Sequence, residues 1–100
     1  MSILMEVLQE ELDRLDRQQA AYESHLRELP RGYVSKKNIR GKESYYLQYR
    51  EGAKIVSKWI PAANLQEVER QVDQRKMLEA SLRRVKGDQK KLRRALDLHL

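Results

Sequence analysis

Two different spacings of apolar residues divide this chain. In residues 2–29, Met5, Leu8, Leu12, Leu15, Gln19, Tyr22, Leu26 and Leu29 follow one another at alternating steps of three and four. That spacing predicts one helix with a single stripe, the a/d seam of a coiled coil, about 40 Å long. Gln19 is the polar member of the stripe, and a polar group at such a position fixes register at some cost in stability. Pro30 and Gly32 end the helix. A seam of this length needs a partner.

From Tyr33 to Ile60 the period changes to two. Three short antiparallel strands in a meander are predicted, and the middle one is the clearest: Tyr45, Leu47 and Tyr49 point one way, Tyr46, Gln48 and Arg50 the other. Arg50-Glu51-Gly52 reads as a three-residue hairpin loop with Gly at the position needing φ > 0. With that loop, Ala53, Ile55 and Trp59 share the core face with Tyr45, Leu47 and Tyr49. Lys54, Val56, Lys58 and Ile60 then fall on the wet face with Tyr46 and Arg50. The first turn lies around Asn38-Ile39-Arg40-Gly41, with its register open.

Residues 62–98 return to helical spacing. Pro61 suits a helix start, and Asn64 with Glu67 forms a candidate capping box. Leu65, Val68 and Val72 make one stripe; Leu78, Leu82, Val85, Gln89, Leu92 and Leu96 make a second, with His99 in line. Between Val72 and Leu78 the heptad slips, a stammer that overwinds a coiled coil. Gly87 costs about 1 kcal/mol in a helix and marks a weak point. Opposite the second stripe lie Arg83, Arg84, Lys90, Lys91 and Arg94, a basic outer face. The simplest arrangement is an α+β single domain, residues 1–100. Its two helices fold back as an antiparallel, coiled-coil-like pair with a three-stranded sheet at the bend.

Charge sharpens this picture. Residues 1–30 carry three basic and seven acidic side chains, residues 31–60 eight and two, and residues 61–100 ten and six. The sheet segment alone therefore equals the net charge of the whole chain, +6. Localised positive charge implies an anionic partner, most often nucleic acid, through phosphate neutralisation and counterion release. Acidic Glu11, Asp16 and Glu23 flank the first seam while Lys86 and Arg93 flank the second, which favours pairing of the helices.

The chain has no cysteine, which excludes disulfides and cysteine-based zinc sites. No apolar run reaches the roughly 18 residues of a membrane span. The start is acidic where a secretory signal would be basic. A soluble cytoplasmic protein with no membrane role is expected. His25 and His99 have no ligand cluster around them and read as structural or solvated. Paired catalytic carboxylates, a nucleophile motif and a phosphate loop are all missing. No enzyme activity, cofactor, metal or small-molecule substrate is expected.

Binding chemistry concentrates in the sheet. Lys36, Lys37, Arg40, Lys42, Arg50, Lys54 and Lys58 are interleaved with Tyr45, Tyr46 and Tyr49. Basic groups contact phosphates, a tyrosine such as Tyr46 stacks on an unpaired base, and a β-ribbon can enter the major groove. Against this, lysines also protect exposed sheet edges, and alternating tyrosines are often core. The reading is a non-enzymatic nucleic-acid-binding protein, DNA ahead of RNA, using Lys36, Lys37, Arg40, Lys42, Tyr46, Arg50, Lys54 and Lys58. The alternative is a coiled-coil adaptor that binds another protein through its seams. Two long seams beside one small sheet also predict self-association, as a homodimer.

The runs Leu29-Pro30-Arg31-Gly32, Tyr45-Tyr46-Leu47-Gln48-Tyr49-Arg50, Gly52-Ala53-Lys54 and Ser57-Lys58-Trp59-Ile60-Pro61 resemble a family of small uncharacterised bacterial and archaeal proteins. These have a helix, an LPxG turn, a YxxxxR-containing hairpin and a second helix, and many are encoded near mobile elements. The resemblance covers residues 26–78, implies no particular activity, and fits DNA binding. Many relatives carry clustered cysteines between the first two strands, suggesting bound metal. This chain has none there, so a metal role does not carry over.

Overall fold

A computed structural model describes residues 2–98; His99, placed by its spacing on the second stripe, lies outside them. The elements follow in the order α1 (Ile3–Arg27), β1 (Tyr33–Ile39), β2 (Lys42–Glu51), β3 (Lys54–Ile60), a 3-10 turn (Ala62–Asn64) and α2 (Leu65–Leu98). This is the predicted α+β order of helix, antiparallel sheet and long helix. The chain divides into two compact units. One contains α1 and the part of α2 from Met77 onward; the other runs from Leu29 to Lys76. The heptad slip between Val72 and Leu78 coincides with this division, so the first stripe of α2 serves one unit and the second stripe the other.

In the helical unit, α1 and α2 pair antiparallel. Ser2 caps α1, its hydroxyl accepting the Met5 N–H at 3.1 Å. Leu12, Leu15 and Leu26 from α1 and Val85 from α2 are buried, and the remaining seam residues are half-buried. Gln89 is the most deeply buried polar side chain, 2% exposed. Its amide donates to Asp16 Oδ1 at 2.8 Å and to Gln19 Oε1 at 2.9 Å, while Arg93 reaches Asp16 at 3.4 Å. Gln19 in turn donates to Glu23 Oε1 at 2.7 Å. The polar seam position in α1 is thus met by the polar seam position in α2. α2 is continuous through Gly87.

In the sheet unit, the strand order is β1-β2-β3 and both hairpins are antiparallel. Leu29, Ile60 and Val72 are its buried core. Val34 shares a cleft with Val72, and Leu47 and Ile60 share one with Val68, so this face of the sheet turns toward α2. Arg75 of α2 donates to the Leu29 carbonyl at 2.9 Å, tying the helix to the turn that leads into the sheet.

Two local expectations are corrected, the second hairpin and the capping box, and the first turn falls within the residues expected for it. The second hairpin loop is not the three residues Arg50-Glu51-Gly52 but the two residues Gly52-Ala53, flanked by the pair Glu51 and Lys54. Gly52 takes φ 62° as the first loop residue, where a primed two-residue turn demands glycine. The change moves β3 by one residue and inverts its faces. Ile55 and Trp59 therefore oppose Arg50 and Tyr46 on the open face, whereas Lys58 and Val56 oppose Leu47 and Tyr49. The first turn is likewise two residues, Arg40-Gly41, both with positive φ (53° and 80°). Finally, the Asn64–Glu67 capping box does not form. The Glu67 carboxylate accepts from Arg70 and Gln71 instead, and a 3-10 turn leads into α2.

Candidate nucleic-acid interface

Residues directly opposite in adjacent strands share a face of the sheet. The register therefore places Tyr33, Ser35, Lys37 and Ile39 of β1, Lys42, Ser44, Tyr46, Gln48 and Arg50 of β2, and Ile55, Ser57 and Trp59 of β3 on one face. This face is open: Trp59 is 63% exposed, Ile55 66%, Tyr33 53% and Ile39 51%. It carries three cations, Lys37, Lys42 and Arg50, and no carboxylate. Both acidic residues of the sheet, Glu43 and Glu51, lie on the opposite face.

At its centre Tyr46 of β2 stands directly opposite Trp59 of β3. Lys37 Nζ lies 4.8 Å from the centre of the Tyr46 ring, within cation–π range. Next along the ladder, Gln48 donates to Ser57 Oγ at 3.0 Å, locking the pairing of β2 with β3. An exposed tryptophan and a half-buried tyrosine thus stand opposite each other on adjacent strands, bordered by positive charge.

The eight residues expected to bind do not form one patch. Lys37, Lys42, Tyr46 and Arg50 share the open face. Arg40 is in the β1–β2 turn. Lys36, Lys54 and Lys58 belong to the face that turns toward α2. Lys36 forms an ion pair with Glu43 at 2.8 Å. The hydrogen bond to Glu43 raises the Lys36 pKa, and the same contact lowers that of Glu43. A lowered carboxylate stays ionised until pH falls through its folded value, and a raised lysine stays charged beyond its usual range. The pair is therefore intact at neutral pH, and Lys36 is already engaged. Lys58 and Arg31 flank the Tyr49 ring at 5.6 and 5.8 Å.

Trp59, Ile55, Tyr33 and Ile39 are the surface residues that sequence reasoning left out of the site. The signal that could have found Trp59 is Gly52-Ala53, since Gly at the first position of a two-residue loop sets the parity of β3. Among the described residues no group of His, Cys, Asp and Glu is arranged to hold a metal ion. No described helix is long and apolar enough to cross a membrane.

Fold and surface together define a small α+β protein with a helical hairpin and an open, basic, aromatic sheet face. The chain belongs to the family described as Domain of unknown function (DUF6788), whose model matches residues 5–70. The match takes in α1 from its third residue and the whole sheet, and ends in the first turns of α2. Searches of curated proteins and of solved structures each gave no significant match.

Proposed function

We propose that the protein is a non-enzymatic nucleic-acid-binding protein that holds DNA on the open face of its sheet. The observation that carries this reading is the Tyr46–Trp59 pair set among Lys37, Lys42 and Arg50 on a face without a carboxylate. The cations neutralise phosphates, and the rings pack on sugar or stack on unpaired bases. Arg40, in the adjoining turn, extends the positive edge. Lys36, Lys54 and Lys58 contribute to the local field rather than to direct contact. DNA is placed ahead of RNA because the bacterial and archaeal family that the sequence resembles is often encoded near mobile elements. The role belongs in the cytoplasm, and the active species is a homodimer.

The chain's one tryptophan lies in the proposed contact, so binding reports itself. Titrating single-stranded and duplex DNA should quench Trp59 fluorescence, and the matching RNA should bind less tightly. Lys37→Ala/Lys42→Ala/Arg50→Ala should weaken binding and make its salt dependence shallower by about three units. Lys36→Ala/Lys54→Ala/Lys58→Ala should do markedly less. Tyr46→Ala should cost about 1–3 kcal/mol on a single strand and much less on a duplex. Unchanged affinity and salt slope in the open-face triple variant would transfer the face to a protein partner. The exposed Ile39, Ile55 and Trp59 favour a protein partner on this face, a different reading from the coiled-coil adaptor that binds through its seams.

A further inference from the structure

The second half of α2 carries an unusual concentration of unfavourable features. Residues 83–94 hold seven basic side chains and one acidic one. At 3.6 residues per turn, Arg83, Arg84, Gly87, Lys90, Lys91 and Arg94 fall in a band of roughly 120°, centred opposite the buried Val85 and Gln89. All six are exposed. Lys90 and Arg94 are like charges four residues apart, and Lys91 and Arg94 are three apart, spacings that destabilise a helix. Some helix arginines are matched, Arg14 by Glu11 and Arg70 by Glu67, whereas Arg17 and Arg27 stand alone on α1 without such a run of like charges around them. Among the described residues, none of the five cations in this band has an ion-pair or hydrogen-bond partner.

Gly87, at the middle of the band, adds a second and independent observation. Glycine weakens a helix interior by about 1 kcal/mol relative to alanine, a cost that close packing against the missing side chain can offset. Here a Cβ would meet nothing within 4 Å. The fold itself gives no reason for the missing side chain, whereas a ligand lying along the outer face would.

We propose that this outer face of α2 is a second phosphate-contacting surface, separate from the sheet. It takes the backbone of duplex DNA, which comes closest at Gly87. Arg83/Arg84 and Lys90/Lys91 form tiers seven residues apart, roughly 10 Å along the axis, or about three nucleotide steps of one strand. A lipid surface fits less well, because a membrane-lying helix inserts an apolar face. The apolar stripe of this segment is instead turned inward, with Val85 buried.

The test is a titration of the full chain against a short mixed-sequence duplex at low and physiological salt. Arg83→Ala/Lys90→Ala/Arg94→Ala should keep the helical signal and lower duplex affinity about tenfold or more, with a salt slope shallower by about three units. Gly87→Gln should raise the melting temperature yet lower duplex affinity several-fold, a combination that a purely structural glycine would not give. Unchanged affinity and slope in the triple variant overturn the proposal, and Gly87→Gln with unchanged affinity overturns the close approach. Equal displacement by polyglutamate, or tighter binding to phosphatidylserine vesicles than to duplex, would also overturn it in favour of another anionic partner. The sheet reading fails separately. Loss confined to this triple variant keeps the helix surface and removes the sheet, and loss confined to Lys37→Ala/Lys42→Ala/Arg50→Ala does the reverse.

Discussion

At Gly32 two independent constraints meet. Its φ is 106°, a region that side chains make costly, and a Cβ there would overlap the Gln48 carbonyl oxygen of β2. Relief would require moving backbone, because the obstructing atom is not the end of a flexible side chain. Gln48 lies between the Tyr46–Trp59 pair and Arg50, and it also holds Ser57. Gly32 therefore lets the chain enter β1 tight against the β2 backbone beside the open face. Gly32→Ala should destabilise the protein by about 2 kcal/mol or more, roughly 10 °C in melting temperature for a chain of this size. Gly41→Ala meets no neighbour within 4 Å and carries only the cost of its φ of 80°, so thermal melts of the two variants should separate overlap from backbone strain.

At the scale of elements, the helical hairpin is aligned by one buried polar contact. Apolar seams tolerate sliding by a heptad, because one leucine replaces another. Gln89 cannot slide without leaving Asp16 and Gln19 and burying an unsatisfied amide. Gln89→Leu should therefore cost about 1–3 kcal/mol in urea unfolding followed by circular dichroism. Gln19→Leu/Gln89→Leu should recover most of that loss while broadening the population of pairings, visible as extra amide resonances. Equal stability of the single and double variants would mean that the amide contact does not set the alignment.

The same contrast explains what could be read along the chain. The seam of α1 was legible because Leu8, Leu12, Leu15 and Leu26 repeat at helical steps with charged residues between them, and Gln19 stood out as the polar exception. That Gln89 answers it was hidden, since pairing two seams residue by residue needs the loop geometry between them. The parity of β3 was hidden for a different reason. In Lys54-Ile55-Val56-Ser57-Lys58-Trp59-Ile60 both alternate sets contain two large apolar residues. Hydrophobic pattern therefore does not choose a face, and the choice passes to a two-residue turn. Trp59, the largest exposed ring, depends entirely on that turn.

For the whole molecule, the last question is what covers the start of the helical hairpin. Ile3 is 80% exposed, Leu4 52% and Val7 54%, while Leu98 at the other helix's end is 81% exposed. Antiparallel pairing brings the start of α1 to the end of α2 in one unit, so these four side chains belong to the same end of the hairpin. Fully burying an aliphatic side chain contributes about 1.5–3 kcal/mol, enough for a second copy to dock there by a self-complementary, two-fold contact. Light scattering across a range of concentrations should show a homodimer that dissociates on dilution. Ile3→Ser/Val7→Ser should shift the equilibrium to monomer without loss of helical signal. Dimerisation driven by apolar contact should hardly respond to salt, in contrast to the nucleic-acid affinity. If the wild type remains monomeric at micromolar concentration, these exposed residues do not form a self-association surface. The binding surfaces would then act singly, and the dimeric species would have to be abandoned.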